Sequence, residues 1–183
     1  MKSLKENFQK AHIVIIGSGI IGKFNALELS ELGFQITIID PTQRQNSSNA
    51  ALGLLMGNMY QKRRGRNWDL RKQSIELWPQ WITFLQKFNC ELNIEKPLIQ
   101  LTTNEEKFKK LEKFIYEHND QNLRILEKDS MFIKNINKTF HTKNIKGIIS
   151  FKDGRINALS LLQTLDKYLK HNKVNYLQGE IIK

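Results

Sequence analysis

The chain is 183 residues long, carries 29 Lys and Arg against 18 Asp and Glu for a formal net charge of +11, and is 40% hydrophobic. A polypeptide of this size buries roughly 70% of the surface its unfolded form exposes, so a core forms without staples, and its apolar content excludes a disordered chain. No apolar run approaches the roughly 18 to 20 residues that span a bilayer, and Cys90, the only cysteine, excludes an intrachain disulfide and a thiolate cluster.

The opening stretch MKSLKENFQKA is polar and lacks the apolar segment of a signal peptide. With the single cysteine, this sets the expectation of a cytoplasmic protein. The positive balance is the mark of a nucleic-acid binder in general, but here 22 of the basic residues are Lys and only 7 are Arg, scattered along the chain. Up to Gln61 there are five basic and four acidic residues. The excess is read as compositional bias, and no nucleic-acid partner is expected.

His12 to Ile16 (HIVII) is a continuous β-branched run, the pattern of a strand buried on both faces of a parallel sheet. It runs into Gly17-Ser18-Gly19-Ile20-Ile21-Gly22. Phe24, Leu27, Leu29 and Leu32 then mark a helix that Gly33 ends at a left-handed cap. Phe34 to Ile39 reads as a second buried strand, closed by Asp40-Pro41. Strand, glycine turn, helix and strand within about thirty residues make a βαβ unit.

Thr42 to Gly57 is small, polar and glycine-containing, a loop leading into a helical turn. From Trp68 to Phe88 apolar residues recur at helical spacing, with Pro79 predicted to kink or restart the helix. Lys96 to Thr102 is a predicted strand, and Thr103-Asn104-Glu105-Glu106 has the capping-box form ahead of a helix with Phe108, Leu111, Phe114 and Ile115 on one face. Leu123 to Leu126 is a short predicted strand, and Ile145 to Phe151 is a longer one closed by an Asp153-Gly154 turn. Leu159 to Tyr168 is an amphipathic helix, Val174 to Leu177 a strand, and Glu180 to Lys183 the start of another.

Each glycine of the turn has its own mechanical duty in a dinucleotide site. Gly17 allows the tight exit from the strand, Gly19 lets backbone amides reach a pyrophosphate, and Gly22 permits close helix-to-strand packing. The helix starting near Ile20 points its free N–H groups and dipole at the phosphates. Asp40, 23 positions after Gly17, stands at the tip of the second strand, where a carboxylate accepts the hydroxyls of an adenosine ribose. The βαβ unit alone does not separate FAD from NAD. The loop Asn46 to Leu55, which replaces the next βα unit of a nicotinamide dehydrogenase, points to FAD.

The turn IGSGIIG, Asp40, the loop SSNAALGLL, the stretches SIELWPQW and PLIQLTTNEEKFKKL, and the segment DGRINALSLLQTL fall in this order along the chain. In that order the sequence resembles the D-amino-acid oxidase superfamily of FAD-dependent oxidoreductases, in its glycine oxidase and D-amino-acid dehydrogenase branch, over His12 to Lys183. The resemblance implies that the amides of Ile20 and Ile21 face the FAD pyrophosphate and that Asp40 holds the ribose. It also implies that Ser47, Ser48, Gly53 and Leu54 run along the pyrophosphate and flavin. The family usually has Glu at the ribose position and often Ala or Gly at Leu52. Its members are roughly twice as long, so the resemblance covers their N-terminal half. The other half, with the Arg and Tyr residues that bind the substrate carboxylate, has no counterpart here.

The implied fold class is α/β, a Rossmann-like FAD-binding βαβ with part of a mixed α+β substrate domain, apparently truncated. The implied layout is residues 1–90 for the first part of the FAD-binding domain, 91–155 for a partial substrate domain and 156–183 for a return to the first. The expected function is an FAD-dependent oxidoreductase fragment of the amine or amino-acid oxidising type, in which no catalytic side chain is identified. The expected partners are a small amino acid or amine and a chain supplying the other half. The alternatives are a non-catalytic nucleotide-binding remnant, one half of a split hetero-oligomeric flavoenzyme, and a basic RNA-associated module for which only the charge speaks.

The remaining candidates take ordinary readings. Lys62-Arg63-Arg64-Gly65-Arg66 is a solvated loop rather than a phosphate or tRNA site, and Trp68, Trp78 and Trp81 are core packing. Cys90 is buried or inert. His12, His118, His141 and His171 lack metal-ligand spacing, so no metal is expected. Asn46 and Asn137 stand in glycosylation-type triplets without meaning in the absence of a secretion signal.

Overall fold

The computed structural model describes residues 11–41, 47–126, 131–140 and 145–179. The chain divides into two compact units, one made of residues 1–53, 80–93 and 157–183, the other of 54–79 and 94–156. Residues 54–79, expected with the first unit, therefore belong to the second. The reason lies in pairing that no local pattern announces. Strand β3 (Leu54–Leu55) is laid antiparallel against β7 (Gly154–Arg155), about a hundred residues later.

The first unit is the βαβ structure. β1 (His12–Ile16) and β2 (Gln35–Asp40) run parallel in register from His12 opposite Gln35 to Ile16 opposite Ile39, with helix α1 (Ile20–Glu31) between them. Gly33, at φ +87°, ends that helix in the left-handed conformation that a Cβ disfavours. β8 (Asn175–Gln178) lies parallel on the other side of β2, giving the order β1-β2-β8. Helix α5 (Ala158–His171), capped by the Asn157 side chain accepting from Ser160 N at 3.0 Å, leads into β8. Ala26 and Leu27, Ile36 and Ile38, and Leu161, Leu165 and Leu169 are buried. The Phe84 and Phe88 rings close on Tyr168, with centroids 5.4 and 5.2 Å away.

HIVII is expected to be buried on both faces, whereas among the described residues β1 lies at the edge of its sheet and one of its faces is exposed. Ile13 and Ile15 share the helix-covered face with Ile36 and Ile38, whereas Val14 and Ile16 share the opposite face with Thr37, Ile39 and Leu177. On that face Val14 is 49% exposed, Ile16 61% and Leu177 56%. A β-branched run records what a strand is suited to bury; whether anything lies over it is decided elsewhere in the chain.

The second unit is antiparallel. β4 (Leu98–Thr102), β6 (Lys146–Ser150) and β5 (Leu123–Ile125) form one sheet in the order β4-β6-β5. Helix α3 (Glu105–His118) contributes Leu111 and Phe114 to a closed cluster with Met59, Leu123 and Ile148. Its cap is Asn104, whose side chain accepts from Lys107 N at 2.9 Å, rather than the Thr103 of the predicted capping box. Asn serves as well because a short acceptor is all the free amide needs.

Helix α2 (Arg66–Leu85) is continuous through Pro79, where the two units divide, so that proline neither ends nor restarts it. Helix α4 (Met131–Phe140), whose sequence gave no predicted element, completes the described secondary structure. Asp153-Gly154 is no free turn: Gly154 is in β7 and Asp153 is fully buried. Cys90 is exposed rather than buried. Thr42 to Asn46, His141 and the strand expected at Glu180 to Lys183 lie outside the described residues.

Candidate functional site

The site is assembled at the carboxyl ends of the parallel strands, where open α/β sheets bind ligands. Gly17 leaves β1 at φ +99°, a value that only glycine takes without strain, and its N–H donates to Ile39 O at 2.8 Å, tying the turn to the end of β2. At Gly22 an added Cβ would lie 2.0 Å from Gly17 O, so only glycine lets the first helical turn close over the glycine turn. Gly19, the helix N-cap, is less confined, since its Cβ would meet Ser48 Oγ at 3.1 Å.

Asp40 sits at the last position of β2, and its Oδ2 accepts from Ser18 N at 2.5 Å. The Asp40 carboxylate is thereby aimed across the strand ends at the glycine turn. Ser48 Oγ accepts from Ile20 N at 3.0 Å, taking one of the amides that open helix α1. The structure thus brings Gly17, Gly19, Ile20, Gly22, Asp40 and Ser48 together in one unit. Ile21 begins the same helix with its side chain largely exposed. Ser47 and Gly53 belong to the first unit, Gly53 at φ +70°, while Leu54 opens β3 in the second.

Beside Asp40 and Ser18 opens a cavity of about 740 Å³, whose wall also includes Lys23, Asp166, Tyr176 and Gln178. Three of these residues carry a polar cluster that no sequence pattern showed. The buried Lys23 ammonium pairs with Asp166 and lies 5.9 Å from the Tyr176 ring centroid, and Tyr176 OH donates to Asp166 Oδ1 at 2.9 Å. Burial, reinforced by the Asp166 charge, pushes the Tyr176 hydroxyl well above its ordinary pKa, so it stays a donor. Lys23 and Asp166 are 143 residues apart in the chain, which is why local spacing gave no hint of them.

Other singled-out residues fall outside this site. Arg63 of the basic run donates to Asn58 O and stacks 5.0 Å from the Phe114 centroid, so it serves the second unit's own structure. Trp81 packs edge-on against Phe24 and Phe84, and Trp68 stacks on Tyr60. His12 bonds Thr37 Oγ1 at 2.8 Å, His118 meets Phe114 O at 2.9 Å, and His171 packs on Phe88. Among the described residues no helix is long and apolar enough to cross a membrane.

A comparison with curated proteins finds no match. Among solved structures the chain is similar to iminodiacetate oxidase from Chelativorans sp. BNC1, at 17% identity and a TM-score of 0.75, over 93% of this chain and 47% of that one. It is similar to glycine oxidase from Bacillus cereus at 22% identity and a TM-score of 0.71, over 92% of this chain and 47% of that one. For L-amino acid deaminase from Proteus myxofaciens the figures are 19% and 0.67, over 92% and 38%. At such identities the likeness is one of fold, and the chain spans less than half the length of these proteins. The DAO family model, described as FAD dependent oxidoreductase, matches residues 12–183. That match runs from the first residue of β1 through the glycine turn, Asp40 and β8, and the chain belongs to the DAO family of FAD-dependent oxidoreductases.

Proposed function

We propose that this chain holds FAD along the glycine turn and forms the cofactor-binding part of an enzyme that oxidises small amino acids or amines. The observation that carries the reading is Asp40: its carboxylate is tied through Oδ2 to Ser18 N at the mouth of the cavity. Among the described residues Oδ1 has no hydrogen-bond partner, and it can accept from a ribose hydroxyl. A phosphate on the ribose 2′ position would be repelled there, which disfavours NADP. Ser48 Oγ, at the opening of helix α1, stands where that helix favours an anion, and its hydroxyl can donate to a phosphate oxygen. Gly22 keeps the turn closed beneath, because no side chain fits between it and Gly17 O.

When bound, FAD supplies the hydride acceptor; the protein's work is to bind and orient. The substrate class rests on the relatives, which are by name a glycine oxidase, an iminodiacetate oxidase and an amino acid deaminase. Holding the reacting carbon against a flavin takes several kcal/mol of orientation, and we assign the carboxylate-binding groups to polypeptide beyond these residues, as a partner chain or as further sequence. The edge of β1, which has no strand beside it among the described residues, and the exposed Val14 and Ile16 suit that reading.

Equilibrium dialysis of the 183-residue chain against FAD and NAD tests the cofactor. Tighter FAD binding is expected; tighter NAD binding overturns the assignment. Peroxide release or dye reduction with glycine, sarcosine and D-amino acids tests the division of labour. No enzymatic turnover is expected from this chain alone with added FAD. Robust turnover by the monodisperse chain would place a complete catalytic site within it.

A further inference from the structure

The flavin-side loop, Ser47 to Leu54, leads directly into a segment that is held with unusual thoroughness. β3, its continuation, is laddered to Gly154 and Arg155. One turn later the fully buried Asp153 carboxylate accepts three consecutive backbone amides: Gly57 N at 2.7 Å and Asn58 N at 2.8 Å on Oδ1, and Met59 N at 2.7 Å on Oδ2. Carbonyls of the same segment are held as well, Met56 O by Arg71 Nη1 at 2.8 Å and Asn58 O by Arg63.

Asp153 is itself fixed from both sides in sequence. Its N–H donates to Ser150 Oγ at 3.1 Å, and its carbonyl accepts from Leu98 N at 3.2 Å. The next residue, Gly154, leaves no space for a Cβ, which would stand 2.6 Å from Glu95 O. A buried carboxylate is costly unless fully hydrogen-bonded. A core needing only shape would use an apolar residue at this position, whereas a carboxylate spreads two oxygens over three amides and thereby sets the path of the backbone.

We propose that Asp153 is a positioning residue for cofactor binding: by clamping Gly57 to Met59 it anchors the end of the flavin-side loop, so that the backbone of Leu54 and Leu55 is held in one place for a flat ring. Asp153 touches no cofactor in this scheme. The inference rests on the FAD reading given above.

The test uses the full 183-residue chain as wild type, Asp153→Asn and Asp153→Ala, with Phe108→Ala as a control that empties a buried site of the same unit away from the clamp. Hydrogen exchange without any flavin is the first readout. Faster exchange of amides in residues 54–55, beyond the clamped 57–59, is expected in both Asp153 variants and not in Phe108→Ala; acceleration confined to 57–59 overturns the proposal. FAD titration is the second. Affinity should fall about tenfold or more in Asp153→Ala, the scale of one charge-assisted hydrogen bond. At saturating FAD the visible bands of the bound flavin should shift in Asp153→Asn and stay put in Phe108→Ala. Wild-type binding with unchanged affinity and spectrum in both Asp153 variants overturns the positioning role and leaves the FAD reading standing. Absence of FAD binding by the wild type overturns both.

Discussion

The two units solve opposite problems. The antiparallel unit closes on itself: Leu111, Phe114, Leu123 and Ile148 bury one another with Met59, and Asp153 satisfies the backbone that Met59 belongs to. The parallel unit is covered on one side only among the described residues. Its helices cover Ile36 and Ile38, while Val14, Ile16 and Leu177 on the opposite face remain about half exposed and the outer edge of β1 has no strand beside it among the described residues. The difference teaches where to look for chemistry and for partners. The antiparallel unit spends its polar groups on holding its own loops, whereas the parallel unit carries the glycine turn, Asp40 and the cavity.

Substitutions sharpen this contrast. Leu111→Ala in the closed cluster should lower stability by about 3 kcal/mol, the usual scale for a leucine that leaves a cavity, measured by urea denaturation. A loss under about 1 kcal/mol would mean the cluster is not the core of its unit. Gly22→Ala should cost about 1 to 3 kcal/mol, because the new methyl meets a carbonyl rather than a flexible side chain, and it should abolish FAD binding. Gly19→Ala, facing only the Ser48 hydroxyl, should be milder in stability. The reverse order would show that the turn is not packed as described.

Asp40→Ala should weaken FAD binding by about 1 to 3 kcal/mol, as for a hydrogen bond to a charged group, with little change in stability. Binding equal to the parent removes the ribose assignment.

The parallel unit also carries its own alkaline sensitivity. Burial, with the Glu31 hydrogen bond next, pushes the Tyr168 hydroxyl up to about 12 from its ordinary 10. Between those values the unfolded chain loses this proton while the folded chain keeps it, so the stabilisation present below pH 10 is lost as pH rises toward 12. Urea midpoints at pH 9 and 11 should show a fall that Tyr168→Phe reduces; an identical fall in the variant would assign it elsewhere. The smallest effect is expected at the open face, where Ile16→Ala should change stability by no more than about 0.5 kcal/mol, as at other exposed positions. A loss matching Leu111→Ala would show that the face is covered after all.

The glycine turn with its acid, and the helix and strand on either side, were legible in HIVIIGSGIIG and Asp40 because backbone sterics and helix-end chemistry act within a few residues. The family resemblance added the loop with Ser48 and the order of later elements. Three features stayed hidden. Ser48 reaching Ile20 N, Lys23 meeting Asp166, and Asp153 clamping Gly57 to Met59 join residues 28, 143 and 94 to 96 positions apart. In the sequence each side chain is an ordinary polar one, and the Asp153-Gly154 pair even carries a turn signal that the structure overrides by burying Asp153 and pairing Gly154 in β7. The hydrophobic run of β1 likewise says that the strand belongs in a sheet, and only tertiary pairing decided that β2 lies beside it. Local conformation is written in neighbouring residues because its steric and hydrogen-bond rules are short in range, while burial and partnership of a polar group depend on which distant segment folding brings against it.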